Sequence, residues 1–173
     1  MKKILFSAGL VVLYILYTKR KKMPTATPTK NKSEFINLIT PSAKLIEEKI
    51  GVPYKFIIAQ ICLETNFGKS SLTKNYYNFG GIKATKGQPF VSLLTTECIK
   101  GVCKKVYQNF AIFDSVIAGL TAQAKIYENK YFKKYLNKTT DPLKYAQLIQ
   151  SGTPKYATDP NYVSKIEKIL KTL

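Results

Sequence analysis

The sequence predicts a mainly α domain of α+β type that carries one small β-hairpin. Residues 52–70 are apolar almost all round, which is typical of a helix buried at the centre of a domain. Two Asp-Pro dipeptides, at 141–142 and 159–160, each combine an N-cap residue with proline at the first helical position. Residues 90–110 alternate around the turn pair Lys100-Gly101, and this pattern predicts the hairpin.

The predicted helices follow one another on both sides of that hairpin. In the first, Pro41 is either a break or a fresh first turn. The second begins at Pro53 and ends at Gly68, a residue suited to a left-handed cap. The predicted helices span residues 33–50, 52–70, 113–129, 142–150 and 160–172.

The chain divides into an N-terminal membrane anchor (1–22), a Pro/Thr/Lys linker (23–32) and a globular domain (33–173). The uncharged stretch Ile4–Thr18 gives a helix of roughly 22 Å, short of a hydrocarbon core of about 30 Å, although flanking lysines can snorkel. A signal peptide is the alternative, but basic residues follow the stretch instead of a small-x-small cleavage site. We therefore expect an uncleaved anchor helix, with its orientation open.

The net charge of +18 predicts attraction to an anionic surface such as acidic lipid or cell-wall polymer. Of the 28 basic residues, only Arg20 is an arginine. Proteins that read nucleic-acid sequence use arginine for bidentate base contacts, so we expect no specific nucleic-acid partner.

Histidine is absent from the chain, which excludes Ser-His-Asp and Cys-His catalysis and every histidine-ligated metal site. The three cysteines contain no C-x-x-C pair, so a four-thiolate zinc site is also excluded. We predict no metal and no cofactor. Any hydrolytic chemistry must then use carboxylates, tyrosine or lysine.

Glu64 is the first catalytic candidate. It follows Ile57 and Ile61 at helical spacing, so an acidic group continues an apolar stripe at the end of the central helix. Burial raises the pKa of a carboxyl group, and a protonated carboxyl near neutral pH can act as a general acid. The alternative is a solvated glutamate, or one paired with Lys69.

The hairpin carries a second carboxylate and two cysteines. With the turn at Lys100-Gly101, Cys98 faces Cys103 in a non-hydrogen-bonded pair, which predicts a disulfide in an oxidising compartment. Alternation directs Glu97 to the opposite face, where an ion pair with Lys104 is the alternative to a catalytic role. Cys62 is predicted to be a buried free thiol.

Residues 75–86 form a loop rich in aromatic residues, asparagine and glycine. Aromatic faces beside amide side chains suit sugar binding. An ordinary turn packed by Phe79 and Ile82 is the alternative.

Three segments together resemble the bacterial N-acetylglucosaminidases of glycoside hydrolase family 73. These segments are L-E-T-N-F-G-K-S (63–70), Y-N-F-G-G-I-K-A (77–84) and Y-A-T-D-P-N-Y (156–162). The hairpin's Thr96-Glu97 and residues 110–113 extend the similarity, which covers about residues 34–172 in order.

The resemblance implies a lysozyme-like helical fold with a small β-lobe, and cleavage of the β-1,4 bond between N-acetylglucosamine and N-acetylmuramic acid in peptidoglycan. It implies that Glu64 is the general acid, Glu97 the base and Tyr156 a residue that positions substrate or water. The matching positions for substrate binding are Asn78, Phe79, Lys83, Phe113 and Tyr162. Phe67, Ala111 and Phe113 replace the family's usual Trp, Arg and Tyr, and the loop has an extra glycine.

We therefore predict a peptidoglycan hydrolase, monomeric in its catalytic domain, whose partners are glycan strands and, through the anchor, a membrane. Its domain would face the cell wall or periplasm, or belong to a virion membrane, serving wall remodelling or phage entry and lysis. The alternatives are a lytic transglycosylase of the same fold and a non-catalytic wall-binding or assembly module.

Overall fold

A computed structural model describes residues 31–99 and 102–173, with the backbone alone for 97–99 and 102. The predicted anchor and most of the linker lie outside the described residues. Within the part described, no helix is long and apolar enough to cross a membrane.

The α+β class is confirmed. The elements are α1 (Lys32–Ile50), α2 (Tyr54–Thr65), α3 (Ser71–Tyr76), β1 (Phe90–Ile99), β2 (Val102–Ala111), α4 (Val116–Ala124), a 3₁₀ helix (Lys133–Tyr135), α5 (Pro142–Gln150) and α6 (Tyr162–Leu170).

Helix α2 is the centre of the domain, as its all-round apolar sequence predicts. Every residue from Phe56 to Cys62 is buried, and α1, α5 and α6 all pack against this helix. Burial raises the pKa of the free Cys62 thiol to about 12, so it stays protonated. The prediction of a buried free thiol is confirmed.

Several predicted boundaries need correction. Helix α2 ends at Thr65, not at Gly68, because Asn66 already adopts the left-handed conformation. Helix α1 continues through Pro41, which neither breaks nor restarts it. The segment after α2 contains α3, a short helix absent from the predicted set, which Ser70 caps by accepting from the Thr73 N–H.

The two Asp-Pro dipeptides differ in outcome. Asp141 caps α5 as predicted, because its Oδ1 accepts from the N–H groups of Leu143 and Lys144 at 2.8 and 2.9 Å. Asp159 does not cap a helix. Its Oδ1 accepts from the Asn161 N–H, its Oδ2 binds Lys165 Nζ at 2.6 Å, and α6 begins only at Tyr162.

The predicted hairpin register is confirmed. The antiparallel strands pair Ile99 with Val102, Cys98 with Cys103 and Glu97 with Lys104. At the base of the hairpin, β2 also bonds to the preceding loop: the Ala84 N–H donates to Asn109 O, and the Ala111 N–H donates to Ile82 O. This third run of backbone attaches the hairpin to the helical part.

Candidate active site

Glu64 lies in the last turn of α2, and the helix end beside it is closely tied. The Thr65 hydroxyl donates to Ile61 O at 2.6 Å and accepts from the Gly68 N–H at 2.9 Å. Thr65 is itself buried, so these bonds are shielded from water. They fix the end of the helix, and with it the point from which Glu64 projects.

The turn after Glu64 has an unusual backbone. Asn66, Phe67 and Gly68 have φ angles of 49°, 54° and 76°, a region that residues with a side chain rarely enter. A Cβ on Gly68 would lie 2.3 Å from the Phe35 ring, so glycine is required for packing as well as for conformation. Backbone strain of this kind concentrates at functional sites.

The sequence allowed Glu64 to be either a buried carboxyl with a raised pKa or a solvated glutamate. The structure lies between these two alternatives. Desolvation by the surrounding protein raises the pKa of its carboxyl, although the residue as a whole is exposed, which limits the size of the shift. Among the described residues Glu64 has no ion-pair partner, so the predicted alternative of a pair with Lys69 is not found. Its carboxyl is thus shifted towards the protonated form that a general acid needs.

A cluster of four tyrosines, Tyr127, Tyr145, Tyr156 and Tyr162, lies beside this helix; we call it the tyrosine cluster. The ring centroids of Tyr127 and Tyr156 are 6.3 Å apart, and those of Tyr156 and Tyr162 are 5.4 Å apart. Burial raises the pKa of the Tyr156 and Tyr162 phenols, and the nearby Glu64 carboxylate raises them further. Both hydroxyls therefore remain protonated donors close to Glu64.

Gln60 connects α2 to this cluster. It is fully buried and lies one helical turn before Glu64, on the same face. Its side-chain Nε2 donates to the Tyr156 hydroxyl, and its Oε1 accepts from the Tyr127 hydroxyl. Gln60, which was not among the predicted site residues, therefore joins Tyr156 to the helix that carries Glu64.

The backbone that carries Tyr156 is held by a second glutamine. Gln150, the last residue of α5, donates to Ala157 O at 2.9 Å and accepts from the Ala157 N–H at 3.0 Å. The N–H of Tyr156 donates to Ile149 O. The loop after α5 is thereby fixed at the residue that faces α2.

The residues predicted to bind substrate lie in different environments. Asn78 is 1% exposed, and its side chain bonds the backbone of Ile82 and Ala111 at 2.9 Å; Phe79 is 2% exposed in the core. Both side chains pack into the interior and support the loop from there. For Phe79, this agrees with the alternative stated above, an ordinary turn packed by that residue. Lys83 is exposed and Phe113 is half-buried. Tyr162 is buried, and its hydroxyl has no partner among the described residues.

The side chains of Glu97 and Cys98 lie outside the described residues. Cys103 is disulfide-bonded, and the backbone register pairs it with Cys98. The disulfide between these two residues and the role of Glu97 as base remain predictions. Among residues 31–99 and 102–173, no group of three His, Cys, Asp or Glu side chains is placed to hold a metal ion.

Gln60 and Tyr127 are the site residues that sequence reasoning missed. One signal was present, because Gln60 is a lone amide inside an otherwise apolar helix, and a buried amide requires hydrogen-bond partners. Tyr127 lies three residues after the end of α4, in none of the segments that carry a recognisable motif. Nothing local in the sequence indicates that the two meet.

Comparison with known proteins places this geometry in context. The Glucosaminidase family model, described as mannosyl-glycoprotein endo-beta-N-acetylglucosaminidase, matches residues 40–173. The peptidoglycan hydrolase FlgJ of Salmonella typhimurium is 30% identical over 147 residues, covering 81% of this chain and 46% of that protein. A probable N-acetylmuramidase of Lactococcus lactis is 27% identical over 172 residues, covering 96% of this chain and 39% of that protein.

A solved structure with a similar fold is the catalytic domain of the autolysin Auto from Listeria monocytogenes. It has a TM-score of 0.74 and 25% identity, and the match covers 98% of this chain and 96% of that one. This chain thus spans less than half the length of the two sequence relatives described above, but nearly all of a single catalytic domain.

Proposed function

Because this chain belongs to the family 73 glycoside hydrolases, we propose that it hydrolyses peptidoglycan at the β-1,4 bond between N-acetylglucosamine and N-acetylmuramic acid, with Glu64 as general acid. The observation that carries the proposal is the raised pKa of the Glu64 carboxyl beside the protonated hydroxyls of Tyr156 and Tyr162.

In the proposed reaction, protonated Glu64 donates its proton to the glycosidic oxygen as the bond to the anomeric carbon breaks. A water molecule attacks that carbon and loses a proton to a base, for which Glu97 is the candidate. The two products are a sugar with a new reducing end and one with a new free hydroxyl. Tyr156 donates a hydrogen bond that positions the sugar or the water.

The spacing of the two carboxyl groups would distinguish the possible routes. About 6.5–9.5 Å leaves room for a water molecule and predicts inversion, whereas about 5 Å predicts that the second carboxylate is a nucleophile. Mutation tests the base independently of spacing. We expect Glu97→Gln to lower activity, but by less than Glu64→Gln if the N-acetyl group of the substrate assists.

The identity of the bond is best tested by its products. The family model is named for an N-acetylglucosaminidase, whereas one relative is named a probable N-acetylmuramidase. The full chain is incubated with purified peptidoglycan, the products are reduced with borohydride, and the chain ends are identified by mass spectrometry. Reduced N-acetylglucosamine ends support the proposal.

Other products would overturn parts of the proposal. Reduced muramic acid ends would show a muramidase, and 1,6-anhydromuramic ends would show a lytic transglycosylase that uses Glu64 as both acid and base. An absence of products, from a folded chain on several types of wall, would favour a non-catalytic wall-binding module.

Glu64→Gln tests the assignment of the acid. The change removes the transferable proton and keeps the shape, so we expect activity to fall by about 10²–10⁴-fold with the fold intact. Glu48→Gln is the matched control, because it makes the same charge change at an exposed site on α1 and should keep wild-type activity. Retention of more than about a tenth of the wild-type rate by Glu64→Gln would contradict a general-acid role.

We also propose that residues 1–22 tether the enzyme to a membrane, where it serves wall remodelling or phage entry. The proposal is supported by the uncharged stretch 4–18 between basic flanks. Flotation of the full chain with anionic vesicles tests it. Binding that persists in high salt supports apolar insertion, whereas complete release by salt would show attraction by charge alone.

A further inference from the structure

Gln60 is hydrogen-bonded to the hydroxyl of Tyr156, the residue proposed to position the sugar or the water. We propose that Gln60 is a positioning residue. Its amide oxygen accepts from the Tyr127 hydroxyl, which orients the amide, and its Nε2 donates to the oxygen of Tyr156. The hydroxyl proton of Tyr156 is then left for the substrate. The inference rests on the proposed function and adds to it a residue that acts through Tyr156. Its basis is the chain of bonds in which Tyr127 donates to Gln60 Oε1 and Gln60 Nε2 donates to Tyr156.

The direction of this chain follows from burial. Tyr127 is 1% exposed, and among the described residues its hydroxyl bonds only to Gln60. If the amide were turned over, Tyr127 would accept from Nε2, and its own proton would be buried without an acceptor, which is unfavourable. Tyr156 is half-buried, and in the proposed role its proton bonds to a sugar or a water molecule. The arrangement that satisfies Tyr127 is therefore the one that frees the proton of Tyr156.

Packing leaves Tyr156 little freedom apart from its hydroxyl. Its ring stacks on that of Tyr127 at an interplanar angle of 25°, and it contacts Phe132 and Tyr162 at centroid distances of 5.3 and 5.4 Å. The remaining variable is the rotation of the hydroxyl hydrogen about the C–O bond. A donor fixed on the oxygen, which Gln60 supplies, sets that rotation.

Tyr127→Phe tests the first link, with Tyr145→Phe as its matched control. Both tyrosines are buried in the same cluster, but the hydroxyl of Tyr145 has no hydrogen-bond partner among the described residues. We expect Tyr127→Phe to lower kcat by roughly tenfold with little change in KM, because the amide loses the bond that orients it. Tyr145→Phe should leave kcat unchanged. Equal kcat values for the two variants would overturn the inference.

A double-mutant cycle tests whether Gln60 acts through Tyr156. Gln60→Met keeps the side-chain volume close and removes both hydrogen bonds, so we expect a loss in kcat of about a hundredfold or less. In a Tyr156→Phe background, the same change should alter kcat by less than about twofold. Additive losses in the cycle would overturn the inference.

Two compensating substitutions distinguish an effect on stability from an effect on kcat. Gln60→Met leaves the Tyr127 hydroxyl buried without a partner, so the unfolding midpoint should fall. Combining it with Tyr127→Phe removes both partners and should recover the midpoint, because an apolar pair has no unmet hydrogen bond. We expect kcat to stay low in that double variant. Recovery of kcat together with the midpoint would show a merely structural role and overturn the inference.

A nuclear magnetic resonance measurement tests the link without an activity assay. In the ¹⁵N-labelled protein, we expect the side-chain amide protons of Gln60 to exchange slowly, and to exchange faster in Tyr127→Phe but not in Tyr145→Phe. If the wild-type protein released no sugar products, the proposed function would fail while this readout still reported on the bonds. Fast exchange in the wild-type protein would overturn the inference even if the enzyme were active.

Discussion

The helical core and the β-hairpin are stabilised in different ways. In the core, α2 is surrounded by other helices, and its apolar side chains are almost completely removed from water. In the hairpin, the main neighbour of each strand is the other strand. One face of the hairpin carries Phe90, Leu94 and Tyr107, which are 53%, 53% and 73% exposed.

This difference separates the two predicted carboxylates. Glu64 belongs to a helix that the whole domain fixes, whereas Glu97 belongs to a strand whose support is mainly the neighbouring strand. Two-stranded hairpins are marginally stable by themselves, so the hairpin depends on its attachment to the rest of the domain. The comparison therefore predicts a rigid acid and a more adjustable second residue.

Truncation of one side chain in each region gives the largest expected contrast. Ile61→Ala removes a fully buried side chain from α2, and we expect it to lower the free energy of unfolding by about 2–5 kcal/mol. Leu94→Ala on the exposed hairpin face should change it by about 0.5 kcal/mol or less. Urea denaturation measures both. Similar losses for the two variants would mean that the hairpin face is covered in solution.

Asn78 joins the two regions, so its removal should affect one of them selectively. Its side chain, which is 1% exposed, donates to Ile82 O and Ala111 O and accepts from the Ile82 N–H. We expect Asn78→Ala to cost about 1–3 kcal/mol and to speed amide exchange at the hairpin base. Exposed Asn109→Ala is the control. Faster exchange throughout the helices instead would indicate global rather than local loosening.

A smaller effect is expected at the surface of the helical part. Asp141→Ala removes the N-cap of α5, and we expect a loss of about 1 kcal/mol in the free energy of unfolding. Asp159→Ala should matter less, because Asp159 caps no helix and its pair with Lys165 is exposed to solvent. Thermal denaturation of the two variants compares them. A larger loss for Asp159→Ala would show that the turn before α6 matters more than the cap of α5.

The smallest expected effect is on the pH dependence of stability. Because the folded protein raises the pKa of Glu64, this group favours folding least once pH exceeds that raised pKa. Glu64→Gln should therefore be more stable than wild type near neutral pH, and the gain should shrink as pH falls through the raised pKa. Urea titrations at several pH values measure it. A gain that grows towards acid would mean that the pKa of Glu64 is lowered.

The sequence was sufficient wherever local chemistry decides the structure. The hairpin register follows from alternation and a two-residue turn, and the start of α5 follows from the cap at Asp141. The same Asp-Pro signal failed at Asp159, where the carboxylate bonds Asn161 and Lys165 instead. The competing partner lies six residues away, beyond what the dipeptide can indicate.

For the candidate site, the sequence indicated which side chains to consider but not which of them are hydrogen-bonded to one another. Glu64 and Tyr156 could be identified from their segments, because each lies within a recognisable motif. The bond between Gln60 and Tyr156 joins residues 96 positions apart, and that between Tyr127 and Gln60 joins residues 67 apart. Such pairings depend on how the helices pack, and no local pattern contains that information.

The tyrosine cluster also gives the protein an optical property. The chain contains 12 tyrosines and no tryptophan, so tyrosine emission is not masked by a stronger fluorophore. In the series Tyr145, Tyr127, Tyr156 and Tyr162, the centroids of successive rings are 5.4–6.3 Å apart, close enough to exchange excitation. These four are a third of the 12 tyrosines, so part of the intrinsic fluorescence of this protein, and of its depolarisation, reports on the surroundings of Glu64 without an added label.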